Sequence, residues 1–284
     1  MNIQETRQCN TYNFAAAARY YGIQESVFLK FYEELHEDTQ FLNSINQRIV
    51  TVSSQSGFQK GLFSKGAVDS TDWFAFQRAL LYVMVRYLKP HWCLETGVYY
   101  GGNSVFILNA LEKNGSGRLV SIDLPDSQIR KAQADGNCDP SLERHPMVGD
   151  SELYDESLRP GFIIPDYLRH RWNFIEGNSL AVIPELAERF DLYIHDSDHS
   201  FDFVTTELSL AKAKMRDSGT MIVDDINWSN AFFKFCVDGR YYPLCLTDNG
   251  KDNLDVRTGL VFLKHPYNTA SAIVGKQDHK ERQR

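Results

Sequence analysis

One alternation narrows the possible folds of this chain more than any other feature. From residue 91, short apolar runs of strand length recur: HWCLETG (91–97), RLVSIDLP (118–125), WNFIEGN (172–178), DLYIHDS (191–197) and TMIVDDI (220–226). Helix-length stretches separate them: NSVFILNALEKNG, ending at Gly115, SLAVIPELAERF, and FDFVTTELSLAKAKMRDSG, ending at Gly219. Strands alternating with helices need crossover connections, which predicts a parallel sheet covered on both faces. The last two runs, YYPLCLTD and DVRTGLVFLKH, have no helix between them and predict an antiparallel C-terminal hairpin. The expected fold class is α/β, a Rossmann-like, mostly parallel seven-stranded sheet with an N-terminal helical extension.

Residues 25–48 place Val27, Phe28, Phe31, Leu35, Phe41, Leu42 and Ile45 near helical spacing, and 71–88 read as a second helix, with Ser70 or Asp69 as N-cap and Pro90 beyond its end. The Ser/Gly-rich stretch 52–66 reads as a loop. The expected organisation is a helical cap over 1–88 and a main domain over 89–266. A polar insertion over about 126–170 and a disordered tail over 267–284 complete it. The 284 residues suit one large domain with additions, and 43% hydrophobic content suffices for a real core. A net charge of −7 argues against nucleic acid as the main partner, since that affinity rests on cationic neutralisation of phosphates. No apolar run approaches the ~18–20 residues of a membrane span, and MNIQETRQCN lacks a signal-peptide core. The five scattered cysteines form no zinc or redox motif, so a reducing cytoplasm is the expected compartment.

Ligands of open α/β sheets bind outside the carboxyl ends of the strands. The first such end, LETGVYYGGNS, holds Glu95, able to face a cationic amino group, and Gly97, Gly101 and Gly102, which permit tight turning and close approach. Its spacing is not the G-x-G-x-x-G of dinucleotide binders, which weighs against a nicotinamide-dependent oxidoreductase. Asp123 follows the second strand, where an acid accepts hydrogen bonds from ribose hydroxyls. Asn178 follows the third; it either reads an adenine edge or caps the helix beginning near Ser179. A cationic nucleoside without phosphate points to S-adenosylmethionine.

The run E-T-G-x-x-x-G-G-x-S, the Ile-Asp, Glu-Gly-Asn-Ser and IHDSDHSFD segments, and VDDINW together resemble class I S-adenosylmethionine-dependent methyltransferases. They are similar in particular to the branch of macrocin-type sugar O-methyltransferases and so-called cephalosporin hydroxylases. The resemblance covers roughly residues 85–265. It implies cofactor contacts by Glu95, Gly97, Gly101, Ser104, Asp123, Asn178, Ser179 and Asp196, and a hydroxyl of a sugar or glycosylated metabolite as acceptor.

Asp196 ends the fourth strand, and Asp224 and Asp225 end the fifth. Neighbouring strand tips lie about 4.8 Å apart, so these carboxylates can converge, repel and raise one another's pKa unless a cation joins them. Hard oxygen donors suit Mg²⁺ or a similar divalent ion, and the resembling family implies the same three ligands. Coordination would lower the acceptor hydroxyl's pKa. His199, three residues after Asp196, is the expected base, as the matching histidine has been proposed to be in the resembling enzymes; Asp198 is the competitor. His195 reads as a packed core residue. Trp228, Tyr99 and Tyr100 either wall the acceptor pocket or pack internally. A catechol-type methyltransferase, a non-catalytic cofactor-binding subunit and a metal-dependent hydrolase are the rival readings, and a homo-oligomer is possible on any of them.

Overall fold

The computed structural model describes residues 3–56, 76–124, 159–249 and 254–268. Seven strands form one sheet: β1 (Trp92–Thr96), β2 (Arg118–Asp123), β3 (Trp172–Glu176), β4 (Phe190–His195), β5 (Met215–Val223), β6 (Pro243–Asn249) and β7 (Leu254–Phe262). Their order is β3-β2-β1-β4-β5-β7-β6. The first five strands run parallel, and β7 pairs antiparallel with both β5 and β6. The expected fold class, hairpin included, is what the chain adopts.

Before the sheet come α1 (Ile3–Tyr21), α2 (Glu25–Glu37), α3 (Thr39–Ser56) and α4 (Phe76–Leu88). Within and after it come α5 (Gly102–Asn114), the single turn α6 (Ser179–Val182), α7 (Phe201–Lys214) and α8 (Ala231–Gly239). Four boundaries differ from the sequence reading. The helix expected over 25–48 is two helices, because Asp38 leaves the helical conformation and its carboxylate accepts from the Phe41 amide at 3.2 Å, starting α3. That carboxylate also holds Lys113 at 2.9 Å and Asn109 at 3.2 Å, tying the break to α5. Residues 52–56, expected as loop, continue α3. The segment after Asn178 stays helical for one turn only, since Pro184 forces a 3₁₀ turn at Ile183–Glu185. In addition, α7 stops at Lys214 and the stretch expected to close it, MRDSG, already belongs to β5. The rest of the 52–66 loop, the cap at Asp69 or Ser70, most of the insertion and nearly all of the tail lie outside the described residues.

Both faces of the sheet are buried, as parallel strands require. Strand alternation sends Cys93, Leu192 and Ile194 to one side, where they join Phe106, Ile107 and the N-terminal helices. Leu94, Tyr193, Met221 and Val223 point to the other side, against Val204, Leu208 and Phe232. The N-terminal helices therefore share the core of the sheet; Phe28, Tyr32 and Leu35 of α2, at helical spacing, are each at most 2% exposed.

The central register fixes where chemistry can occur. Thr96 pairs with His195, and His195 pairs with Val223. The ladder then continues one residue beyond the strands: the Asp196 amide donates to the Thr96 carbonyl at 2.9 Å and the Asp224 amide to the His195 carbonyl at 3.0 Å. The tips of β1, β4 and β5 thus end flush. Leu192 is fully buried in the central strand β4, so Leu192→Ala is expected to cost about 2–5 kcal/mol in urea unfolding.

Candidate active site

The β1–α5 loop turns on glycine. Gly97 has φ +84, and a Cβ there would lie 1.8 Å from the Asp196 carbonyl oxygen. Only a residue without a side chain lets this loop lie against the tip of β4. Gly101, at φ +96, starts α5 in the left-handed region. The loop is held from below by Asp123, whose Oδ2 accepts from the amides of Val98 at 3.0 Å and Tyr99 at 2.7 Å. Residues 161–163 close its other side: the Gly161 amide donates to the Tyr99 carbonyl at 2.9 Å and that of Ile163 to the Tyr100 carbonyl at 3.2 Å.

Glu95 is fully buried at the end of β1. Its Oε2 accepts from Ser104 Oγ at 2.7 Å and Ser121 Oγ at 2.6 Å, while Oε1 is buried with no hydrogen-bond partner. Burial pushes its carboxyl up to about 7, against the lowering pull of the two serines. Such a group gains by meeting a cation. Ser104 therefore supports Glu95. Asn178 takes the capping role, its Oδ1 accepting from the Leu180 amide at 2.9 Å. Ser179 turns inward and donates to Glu207.

The three aspartates do converge electrostatically. Burial, then Asp224 and Asp225, push Asp196 well above the usual carboxylate range; burial, then Asp225, raise Asp224 to about 7. Each acid nevertheless has a protein partner. Asn103 donates to Asp196 Oδ2 at 2.6 Å. Gln77, its amide oriented by its partners, donates to Asp224 Oδ2 at 2.8 Å. Arg257 binds Asp225 Oδ1 through Nε at 2.7 Å and through its terminal nitrogen. The donor chemistry suits a hard cation. Among the described residues no group of three or more His, Cys, Asp or Glu is placed to bind a metal ion. Arg257 already answers the charge of Asp225.

His199 lies among these acids. Its Nε2 is 3.9 Å from Asp196 Oδ1 and 3.8 Å from Asp225 Oδ2, and its ring packs on Trp228 with centroids 5.2 Å apart. Burial and then the adjacent His195 push its pKa down to about 4, against the opposing pull of Asp225 and Asp198. The ring is therefore neutral near pH 7 and able to take a proton. Asp198, the competing base, accepts from the Ser200 amide at 2.7 Å at the start of α7. Tyr99 and Asp225 both hold positive φ, +49 and +48, a costly backbone for residues with side chains that clusters at working sites.

Sequence reasoning missed several contributors. Gln77 and Arg78 come from α4; Arg78 donates to the Tyr100 hydroxyl and helps to offset the charge of Asp196. Arg257 comes from β7. Nothing local marks these three, because only tertiary packing brings them to the acids. Glu207 was legible: it sits on the buried stripe of Phe203, Val204, Leu208 and Ala211, where an acid is out of place.

Residues 94–226 match a family model described as "Methyltransferase domain". The chain is 24% identical over 141 residues to the rhamnosyl O-methyltransferases of Mycobacterium bovis and Mycobacterium tuberculosis, covering 49% of this chain and 47% of theirs. It thus spans about half the length of the curated relatives it matches. The solved structure of cofactor-bound Rv0187 from MTB superposes with a TM-score of 0.51 at 13% identity, covering 78% of this chain and 90% of that one. Residues 94–226 are thus similar to a methyltransferase domain, and the strand order places that similarity on a Rossmann-like sheet. The curated sequences it resembles are named for O-methylation.

Gly97→Ala is expected to destabilise the protein by at least about 3 kcal/mol in chemical denaturation, since a clash with backbone adds to the positive φ.

Proposed function

We propose that this protein transfers the methyl group of S-adenosylmethionine to a hydroxyl of a sugar or glycosylated metabolite. The observation that carries the cofactor reading is Glu95, a fully buried carboxylate at the tip of β1 with one oxygen lacking any protein partner. An α-ammonium group is the cation that such a position favours in this class of domain. Asp123, beneath the glycine loop, is the ribose-side acid, and Asn178 and Ser179 line the adenine side. The sugar acceptor rests on the relatives named as rhamnosyl O-methyltransferases.

Bound S-adenosylmethionine supplies an activated methyl group on a sulfonium, and the chain's own residues do the rest. His199 takes the hydroxyl proton, with Asp225 stabilising the resulting imidazolium, while Asp198 shapes the start of α7. Trp228 walls the acceptor side. A divalent cation belongs to this reading as well: Asp196, Asp224 and Asp225 would hold it once Gln77 and Arg257 give way.

Calorimetric titration with S-adenosylhomocysteine tests the cofactor half. Bound ligand needs Glu95 ionised, so affinity should fall as pH drops below about 7 and level off above it. Glu95→Gln should weaken binding roughly 10–100-fold and flatten that profile. Mass spectrometry of incubations with rhamnosides and with catechols tests the acceptor half. Methylation of catechols alone would overturn the sugar reading, and no heat with S-adenosylhomocysteine would overturn both halves. For the cation, Arg257→Ala should tighten Mg²⁺ binding at least about tenfold in direct titration; unchanged weak binding would remove the metal from the reading.

A further inference from the structure

The most heavily bonded side chain described here is one that the proposed chemistry does not use. Glu207 of α7 is fully buried. Its Oε2 accepts from Thr96 Oγ1 at 3.0 Å, Tyr193 OH at 2.8 Å and His195 Nδ1 at 2.5 Å. Ser197 Oγ reaches both of its oxygens, at 3.1 and 3.0 Å, and Ser179 Oγ donates to Oε1. Burial opposes ionisation of this carboxyl, but His195 and the hydroxyl donors outweigh it and hold the group below its usual range.

The placement of these donors is informative. Thr96 adjoins Gly97, Ser179 adjoins Asn178, and His195 and Ser197 flank Asp196. A single carboxylate thus grips the chain beside three strand-tip positions. It also fixes a tautomer. An ionised carboxylate only accepts, so His195 must carry its proton on Nδ1. In the neutral ring this leaves Nε2 as an acceptor, and that atom is buried with no protein partner. The next ring is His199, 5.5 Å away between centroids and tilted by 84°. His199 in turn has its Nδ1 buried and unpartnered, with Nε2 toward Asp196 and Asp225. Of the two packed imidazoles, His195 is anchored by Glu207, and His199 packs on His195.

We propose that Glu207 is a positioning residue for methyl transfer: it holds the Nδ1 proton of His195, and the ring so fixed sets the orientation of His199 beside Asp196 and Asp225. The inference rests on the reading of His199 as the group that takes the hydroxyl proton. It adds that the geometry of His199 is set from the far side of β4, by a residue that touches neither cofactor nor acceptor. An ionised carboxylate in this place only accepts, so it selects one of two tautomers as well as one ring orientation.

The test is long-range ¹H–¹⁵N spectroscopy of histidine-labelled protein with S-adenosylhomocysteine bound, the His195 signals being assigned through His195→Gln. Wild type should show His195 protonated at Nδ1 and held by Glu207. In Glu207→Gln, that pattern should give way to mixed tautomers. The variant should keep its S-adenosylhomocysteine affinity within about threefold and its acceptor KM nearly unchanged, while kcat falls about 100-fold. A bare Nδ1 in wild-type His195 would overturn the proposal, and so would a folded Glu207→Gln that keeps kcat within threefold. Should that variant fail to fold, the wild-type tautomer decides alone. Absence of cofactor binding or of product with wild type would count against the proposed function, and the tautomer is read without turnover, so the two failures are distinguishable.

Discussion

The site depends on a contact between two stretches of backbone. The β1–α5 loop lies against the tip of β4 so closely that position 97 has no room for even a methyl group. That approach brings Glu95 and the glycine loop to the same edge as Asp196, and the continued ladder from Thr96 through Asp196 and from His195 through Asp224 aligns the acids of β4 and β5. Placing Asp196 and Asp224 this way costs free energy, since burial and the repulsion of neighbouring acids both resist their ionisation. Asn103, Gln77 and Arg257 offset that cost.

Much of this could be read from the chain. Short apolar runs alternating with helical periodicity define a parallel sheet whatever the details of packing, and the two terminal runs without a helix between them define a hairpin. The position of Asp196 follows because a polar residue directly after a buried strand must emerge at its carboxyl end. Boundaries were less legible for local reasons. The break at Asp38 depends on a side chain choosing to cap rather than continue a helix, and Pro184 shortens a stretch whose apolar spacing otherwise favours it.

Partners were the least legible part. Hydrophobic periodicity reports which face of an element is buried, not what it meets. Arg257 sits in a strand that reads like any β-hairpin arm, yet its guanidinium crosses to β5 and answers Asp225. Asn178 has two physically sound uses, and the sequence cannot choose between a cap and a ligand contact; the structure shows the cap. His195 is buried as its position implied, but its meaning changes once Glu207 is found opposite Nδ1.

The origin of Gln77 and Arg257 has a consequence for how this domain can be exchanged. Both lie outside the matched stretch of residues 94–226, one before it and one after. A graft cut at those limits would carry Asp224 and Asp225 into a new host without the amide donor and the guanidinium that face them. The acids and the groups that answer them form a single unit spread over three parts of the chain, so recombination at the limits of the matched stretch would import the site's repulsion along with its chemistry.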